Sequence, residues 1–201
     1  GIGCLVIVGA VTLASGHLRL DGGTFEFGYA KRFSGTIVER PYPSLRLDGV
    51  DSNVEPWPLL VAPGKHGADA LVSGLEGRHI TLTGTRIQRG AHTMIEVEPA
   101  SLPPKGSAAA SVDATALLEQ SDKGVVELTG EIVDSKCFLG VMVPGSGKTH
   151  KDCASLCLRG GIPPALYVQD RAGHSSLLLL AGPTGEPISA RALQVAGEAI
   201  T

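Results

Sequence analysis

A displaced internal repeat constrains this chain more than any other feature. Gly35-Thr36-Ile37-Val38-Glu39 matches Gly130-Glu131-Ile132-Val133-Asp134 at an offset of 95 residues, and both stretches alternate apolar and polar with period two. Further on, Leu59-Leu60-Val61-Ala62-Pro63-Gly64 resembles Leu178-Leu179-Leu180-Ala181-Gly182-Pro183. Gly77-Arg78-His79-Ile80-Thr81 resembles Gly197-Glu198-Ala199-Ile200-Thr201 at an offset of 120. Self-similarity of this kind marks a duplicated supersecondary unit, and alternation with period two marks half-buried strands. The growth of the offset from 95 to 120 places an insertion of about 25 residues in the second copy, between Asp134 and Pro164. Cys137, Cys153 and Cys157 all fall inside it.

The first copy reads as strands over 32–40, 44–48 and 57–62, a short helix over 68–76, and a hairpin from 78–84 to 93–97. The second reads as strands over 125–134, 165–169 and 175–181, a helix over 188–196 and a strand from 198. Three strands, a helix and two strands is the order of an OB-like five-stranded barrel, with an SH3-like barrel or a small sandwich as alternatives. The abundance of Gly (27) and Pro (13) over aromatics (4%) suits short strands joined by many turns. The expected fold is therefore mainly β: an N-terminal transmembrane helix, then two tandem OB-like barrels, the second with a short Cys/His helical insertion. The expected bounds are 1–20 for the anchor, 24–99 for the first barrel, 100–122 for the linker and 123–201 for the second barrel, with the insertion at 135–164. Pro99 to Ser111 reads as a linker, stiff where Pro-rich and flexible afterwards, and Val112 to Gln120 as a connecting helix capped by Asp113. The second copy reaches Thr201 where its hairpin would begin, so it reads as cut there.

Residues Gly1 to Ala14 carry no charge. Fourteen helical residues rise only about 21 Å against roughly 30 Å of hydrocarbon, so the segment reads as the outer half of a longer transmembrane anchor. A buried core helix and a signal-segment remnant are the alternatives. Cys4 precedes most of its apolar run instead of following it, which argues against lipidation. Small residues at Gly1, Gly3, Gly9, Ala10 and Ala14 would let a partner helix approach closely.

A net charge of −3 provides no basic field for a nucleic-acid backbone. Gly145-Ser146-Gly147-Lys148-Thr149 imitates the end of a phosphate-binding loop, but that motif needs Gly where Met142 stands, which argues against nucleotide binding. His66, His79, His92 and His174 are scattered and read as surface or strand residues. Trp57, between Pro56 and Pro58, reads as a packing anchor.

The chemistry concentrates in the insertion. Thr149 is placed to cap a short helix, with Asp152 in its first turn and Gly160-Gly161 as its stop. On that helix Cys153 and Cys157 share a face, and His150, three residues earlier, joins it. Cys137 ends the preceding strand and can fold back onto them. Cys137, His150, Cys153 and Cys157 together form a tetrahedral donor set for zinc, and copper also accepts thiolates with an imidazole. A disulfide from Cys137 to Cys153 or Cys157 is the competing reading in an oxidising compartment. Thiol-redox chemistry at Cys153, near a helix N-terminus, is the third.

Gly130-Glu131-Ile132-Val133-Asp134-Ser135-Lys136-Cys137, His150-Lys151-Asp152-Cys153-Ala154-Ser155-Leu156-Cys157 and Gly160-Gly161-Ile162-Pro163-Pro164 together resemble a motif of largely uncharacterised bacterial membrane-anchored envelope proteins. Gly22-Gly23-Thr24-Phe25-Glu26-Phe27-Gly28 and Pro41-Tyr42-Pro43 are similar to stretches of membrane-anchored members. The resemblance implies a single-pass inner-membrane anchor with periplasmic β domains, and it supplies no catalytic residues. The first expected function is a non-catalytic accessory or assembly subunit of a membrane complex, such as an electron-transfer complex, contacting other subunits and the bilayer. A periplasmic zinc- or copper-binding module is the alternative, and a thiol-redox protein the second alternative.

Overall fold

A computed structural model describes residues 3, 6–9, 11, 22–50, 57–104, 122–170 and 174–201. Seven strands build the first sheet: β1 (Thr24–Phe25), β2 (Lys31–Val38), β3 (Ser44–Leu47), β4 (Leu59–Ala62), β5 (His66–Gly67), β6 (His79–Arg89) and β7 (His92–Val97). β2 pairs antiparallel with β3 and β6, β3 with β4, and β6 with β7. A parallel pair, β4 with β7, closes these five strands into a barrel, and β1 and β5 add to its rims. Ile37, Leu45, Leu60, Leu82, Ile95 and Val97 fill the interior. The helix α1 (Asp69–Val72) adds Val72, with Ala68 and Leu75 beside it. The helix expected over 68–76 is only one turn long, because the chain takes φ +83° at Gly74.

The second half runs through β8 (Gly130–Asp134), a π-helical turn at Cys137–Val141, a 3₁₀ turn at Lys148–His150 and the helix α2 (Lys151–Arg159). It continues through β9 (Pro164–Gln169), β10 (Ser175–Leu179), the helix α3 (Ser189–Ala192) and β11 (Ala199–Ile200). These four strands form a second sheet in the order β10-β9-β8-β11. The same sequence of pairings, β4-β3-β2-β6, runs through the first sheet, and in both the helix precedes the last of the four strands.

The likeness extends to single atoms. The Gly77 N–H donates to the Ile37 carbonyl at 2.9 Å, and the Gly197 N–H donates to the Ile132 carbonyl at 2.8 Å. A side chain on Gly35 would place its Cβ 2.2 Å from the Arg46 carbonyl oxygen of β3, and one on Gly130 would lie 2.5 Å from the Tyr167 carbonyl oxygen of β9. Both glycines permit a close strand approach that any Cβ would obstruct.

α2 has two working faces. Ala154 and Leu158 pack with Ile132, Leu166, Ala192 and Ala196 under the second sheet. Cys153 and Cys157 turn instead toward a core shared with Val61, Ile87 and Met94 of the barrel and Val133, Phe138, Leu139 and Ile162 of the second half. Each half keeps a core of its own, the barrel interior and the cluster under the second sheet, and the insertion contributes to a third core that both halves share. Polar ties reinforce this: Gly67 N–H donates to the Gly160 carbonyl at 2.8 Å, and Tyr42 donates to the Leu180 carbonyl at 2.9 Å while accepting from Ile188 N–H at 3.0 Å. Tyr42 is thus a buried tie between the halves, while Phe27 and Tyr29 are exposed.

The expected anchor is described only at residues 3, 6–9 and 11, which are helical and exposed. No helix among the described residues is long and apolar enough to cross a membrane. The rest of that segment and the expected connecting helix over 112–120 lie outside the described residues.

Candidate metal centre

The site begins at the last residue of β8. Asp134 is fully buried, and its Oδ1 accepts the Cys137 backbone N–H at 2.9 Å, turning the chain into the π-helical turn that carries Cys137. Ser135 closes the other side, donating from both its N–H and its hydroxyl to the Pro163 carbonyl. α2 then presents Cys153 and Cys157 one turn apart. His150, and not the expected Thr149, occupies the position before the helix, and no side-chain capping bond is made there. That leaves the imidazole free to point inward.

The Cys137 sulfur lies 3.9 Å from that of Cys153 and 3.8 Å from that of Cys157. All three thiols are free, so the competing reading, a disulfide from Cys137 to Cys153 or Cys157, is not what the structure shows. Cys137 stands nearly equidistant from two sulfurs on one helix face, far beyond the roughly 2.05 Å of an S–S bond. The spacing suits a shared ion instead: two thiolates on one tetrahedral zinc at about 2.3 Å sit about 3.8 Å apart. A ring nitrogen of His150 lies within 4.8 Å of the Cys137 and Cys153 sulfurs. Asp134, Cys137 and Cys157 form a second group with the same closeness. This Cys/His cluster has the donors and the spacing to hold a metal ion.

His150 and Asp134 are paired at 3.0 Å, Nε2 to Oδ2, with side-chain exposures of 3% and 0%. A carboxylate on one ring nitrogen is the usual support of a metal-binding histidine, because it fixes ring orientation and tautomer. Asp134 was expected only as a strand residue, and its sequence equivalent in the first copy, Glu39, accepts the backbone N–H groups of Leu75 and Glu76 at 3.0 Å each.

The barrel also contributes. Lys65, in the turn between β4 and β5, places Nζ 2.8 Å from the Cys153 sulfur and 3.6 Å from that of Cys157. Its hydrogen bond to Cys153 raises its pKa well above the ordinary lysine value, against the opposing effect of burial. Cys137 donates to Cys157, which lowers the Cys157 pKa below that of an ordinary thiol, and Lys65 adds to the shift. The same bond, with burial and the Asp134 charge, raises that of Cys137. A cation beside three convergent sulfurs offsets part of the negative charge that thiolates bring. Nothing in the local sequence around Lys65 signals this role, since 88 residues separate it from Cys153.

Neighbouring contacts hold the frame rigid. Lys136, 3% exposed at its side chain, donates to the Ala62 carbonyl at 2.9 Å, to the Gly64 carbonyl and to Glu96 at 2.5 Å each. Arg89 stacks 4.1 Å over the Phe138 ring and donates to the Phe138 carbonyl at 3.1 Å. Elsewhere His66, His79 and His174 are exposed, the latter two paired with Asp48 and Asp170, and His92 is half-buried in β7. No protein-family model, curated protein or solved structure matches the chain.

Proposed function

We propose that this chain is a metal-binding module in which the Cys/His insertion holds one divalent ion, zinc by preference, beside Lys65 of the barrel. The observation that carries the reading is the position of Cys137, whose sulfur lies at the edge length of a zinc-thiolate tetrahedron from both Cys153 and Cys157, with the carboxylate-backed imidazole of His150 close to Cys137 and Cys153. Four protein donors drawn onto one ion would leave no vacant position, which suits a structural ion better than a catalytic one. Copper is the alternative metal for the same donors. When bound, the ion supplies positive charge and a fixed geometry; Lys65 donates to the sulfurs and Asp134 orients His150. Titration with Co²⁺ is the test. Intense visible bands of tetrahedral cobalt and a thiolate charge-transfer band are expected, both lost in Cys157→Ser; weak octahedral bands would contradict the reading.

The strand order β2-β3-β4-β7-β6, closed by a parallel pair, supports an OB-like class for the barrel, and β8 to β11 support four strands of a second unit of that kind. The setting we infer is an accessory subunit of a bacterial inner-membrane assembly, with the β units in the periplasm. Its support is the exposure of the helical apolar residues Val6, Ile7, Val8 and Val11, each 58% or more. Purification in mild detergent should recover a fixed set of partners, and a solitary monomer would contradict it.

A further inference from the structure

The contact between Lys65 and Cys153 is the closest approach of two reactive side chains in the cluster. At 2.8 Å, Nζ and Sγ are as near as the partners of an ordinary N–H···O bond, although sulfur is larger than oxygen by roughly 0.3 Å in radius. The cysteine pairs, at 3.8 and 3.9 Å, are much farther from bonding. The position of Lys65 is built into the fold. Gly160 has no side chain where any Cβ would meet the Lys65 carbonyl oxygen at 1.7 Å, and the Gly67 N–H is tied to the Gly160 carbonyl at 2.8 Å. The β4–β5 turn therefore lies directly on the end of α2, and the lysine side chain reaches back over the sulfurs. Lys65 is exposed, and Cys153 is the one thiol of the three that is not fully buried, so a small oxidant in solvent reaches this pair first.

We propose that Lys65 and Cys153 are a site of oxidative modification, closing a covalent N–O–S bridge with dioxygen when no metal occupies Cys153. Two single bonds meeting at one oxygen set nitrogen and sulfur about 2.6 Å apart, so the bridge needs little movement from the observed contact. The chemistry balances. The amine loses one hydrogen and the thiol its only one; one atom of dioxygen enters the bridge, and the other leaves as water with those two hydrogens. Nitrogen and sulfur each lose two electrons, and dioxygen accepts the four. The bridge would staple the barrel to α2 and withdraw Cys153 from the donor set, so metal and bridge exclude each other. The proposal shares Cys153 with the metal reading and does not otherwise depend on it.

Mass spectrometry of the full chain tests it. Protein stripped by chelator and reductant, then freed of both, is divided between air and argon. In air the intact mass should rise by about 14 Da, one oxygen gained and two hydrogens lost, with the peptides of Lys65 and Cys153 joined and the change reversed by dithiothreitol. Argon, or prior loading with Zn²⁺, should suppress it, and Lys65→Arg should abolish it. A loss of about 2 Da, marking a disulfide, would overturn the proposal. So would unlinked Cys153 carrying about 16 or 32 Da, or an unchanged mass in air. Wild-type protein alone decides, so the outcome does not hang on the folding of the variant. Normal Zn²⁺ binding without a bridge would sink only this inference, and a bridge in a chain that takes up no Zn²⁺ would sink only the metal reading.

Discussion

Asp134 illustrates how one residue changes office between two copies of a unit. Its counterpart Glu39 accepts backbone N–H groups next to α1, whereas Asp134 accepts the Cys137 N–H and holds His150. Asp134→Asn should lower metal affinity about 10- to 100-fold, because the imidazole loses its orienting partner. Competition with a chromophoric chelator measures this, and an unchanged affinity would remove His150 from the ligand set. The nearness of Cys153, Cys157 and His150 was legible in the sequence because spacings of three and four residues along and just before one helix place side chains together, while Cys137 reaches them through the turn after β8. Lys65 and Asp134 were not, since only tertiary structure brings a barrel turn and a strand end to that helix. His92 supports a separate prediction. Burial lowers its pKa below 6.5, so its contribution to stability is present above 6.5 and is lost as pH falls through the depressed folded value. Urea midpoints measured from pH 7 downward should fall across that window, and His92→Gln should flatten the profile. An identical slope in the variant would contradict this.

The elements followed the repeat closely where glycine and alternation set them. Gly35 and Gly130 both sit against a neighbouring carbonyl, and Gly77 and Gly197 donate to equivalent positions, Ile37 and Ile132. These are local demands of strand pairing and are written in every copy. Strand β1 was not foreseen, because two residues paired with the long β6 leave no periodic signal. The stop signal at Gly160-Gly161 was legible, but its second purpose was not: Gly160 makes room for the β4–β5 turn. Gly160→Ala should therefore lower stability by about 1–3 kcal/mol, more than its effect on helix propensity, since either backbone must move to admit a Cβ. Chemical denaturation measures it, and a stabilised variant would show that the turn does not need to lie on α2.

Across the whole molecule the two expected units each keep a core, and they meet in a third that both share. Val61, Ile87 and Met94 of the barrel are covered by Phe138, Leu139 and Ile162 from the other half, so part of the apolar surface of each half is buried only by the other. One cooperative unfolding transition is therefore expected, with the far-ultraviolet signal and the fluorescence of the single tryptophan, Trp57, changing together. Two separated transitions would contradict a common core. The buried Lys136 joins the same halves. Lys136→Met should cost about 3–5 kcal/mol by leaving Glu96 and two carbonyls without their partner, and adding Glu96→Gln should recover part of the loss. An equally unstable double variant would argue that the ion pair is not the cause. Whether Cys137, His150, Cys153 and Cys157 hold one ion is decided by elemental analysis of protein purified under reducing conditions without added metal. About one zinc per chain is expected, falling to near zero in Cys137→Ser and Cys157→Ser. A wild-type chain without stoichiometric metal, in which Cys137, Cys153 and Cys157 all react freely with an alkylating agent, would contradict it.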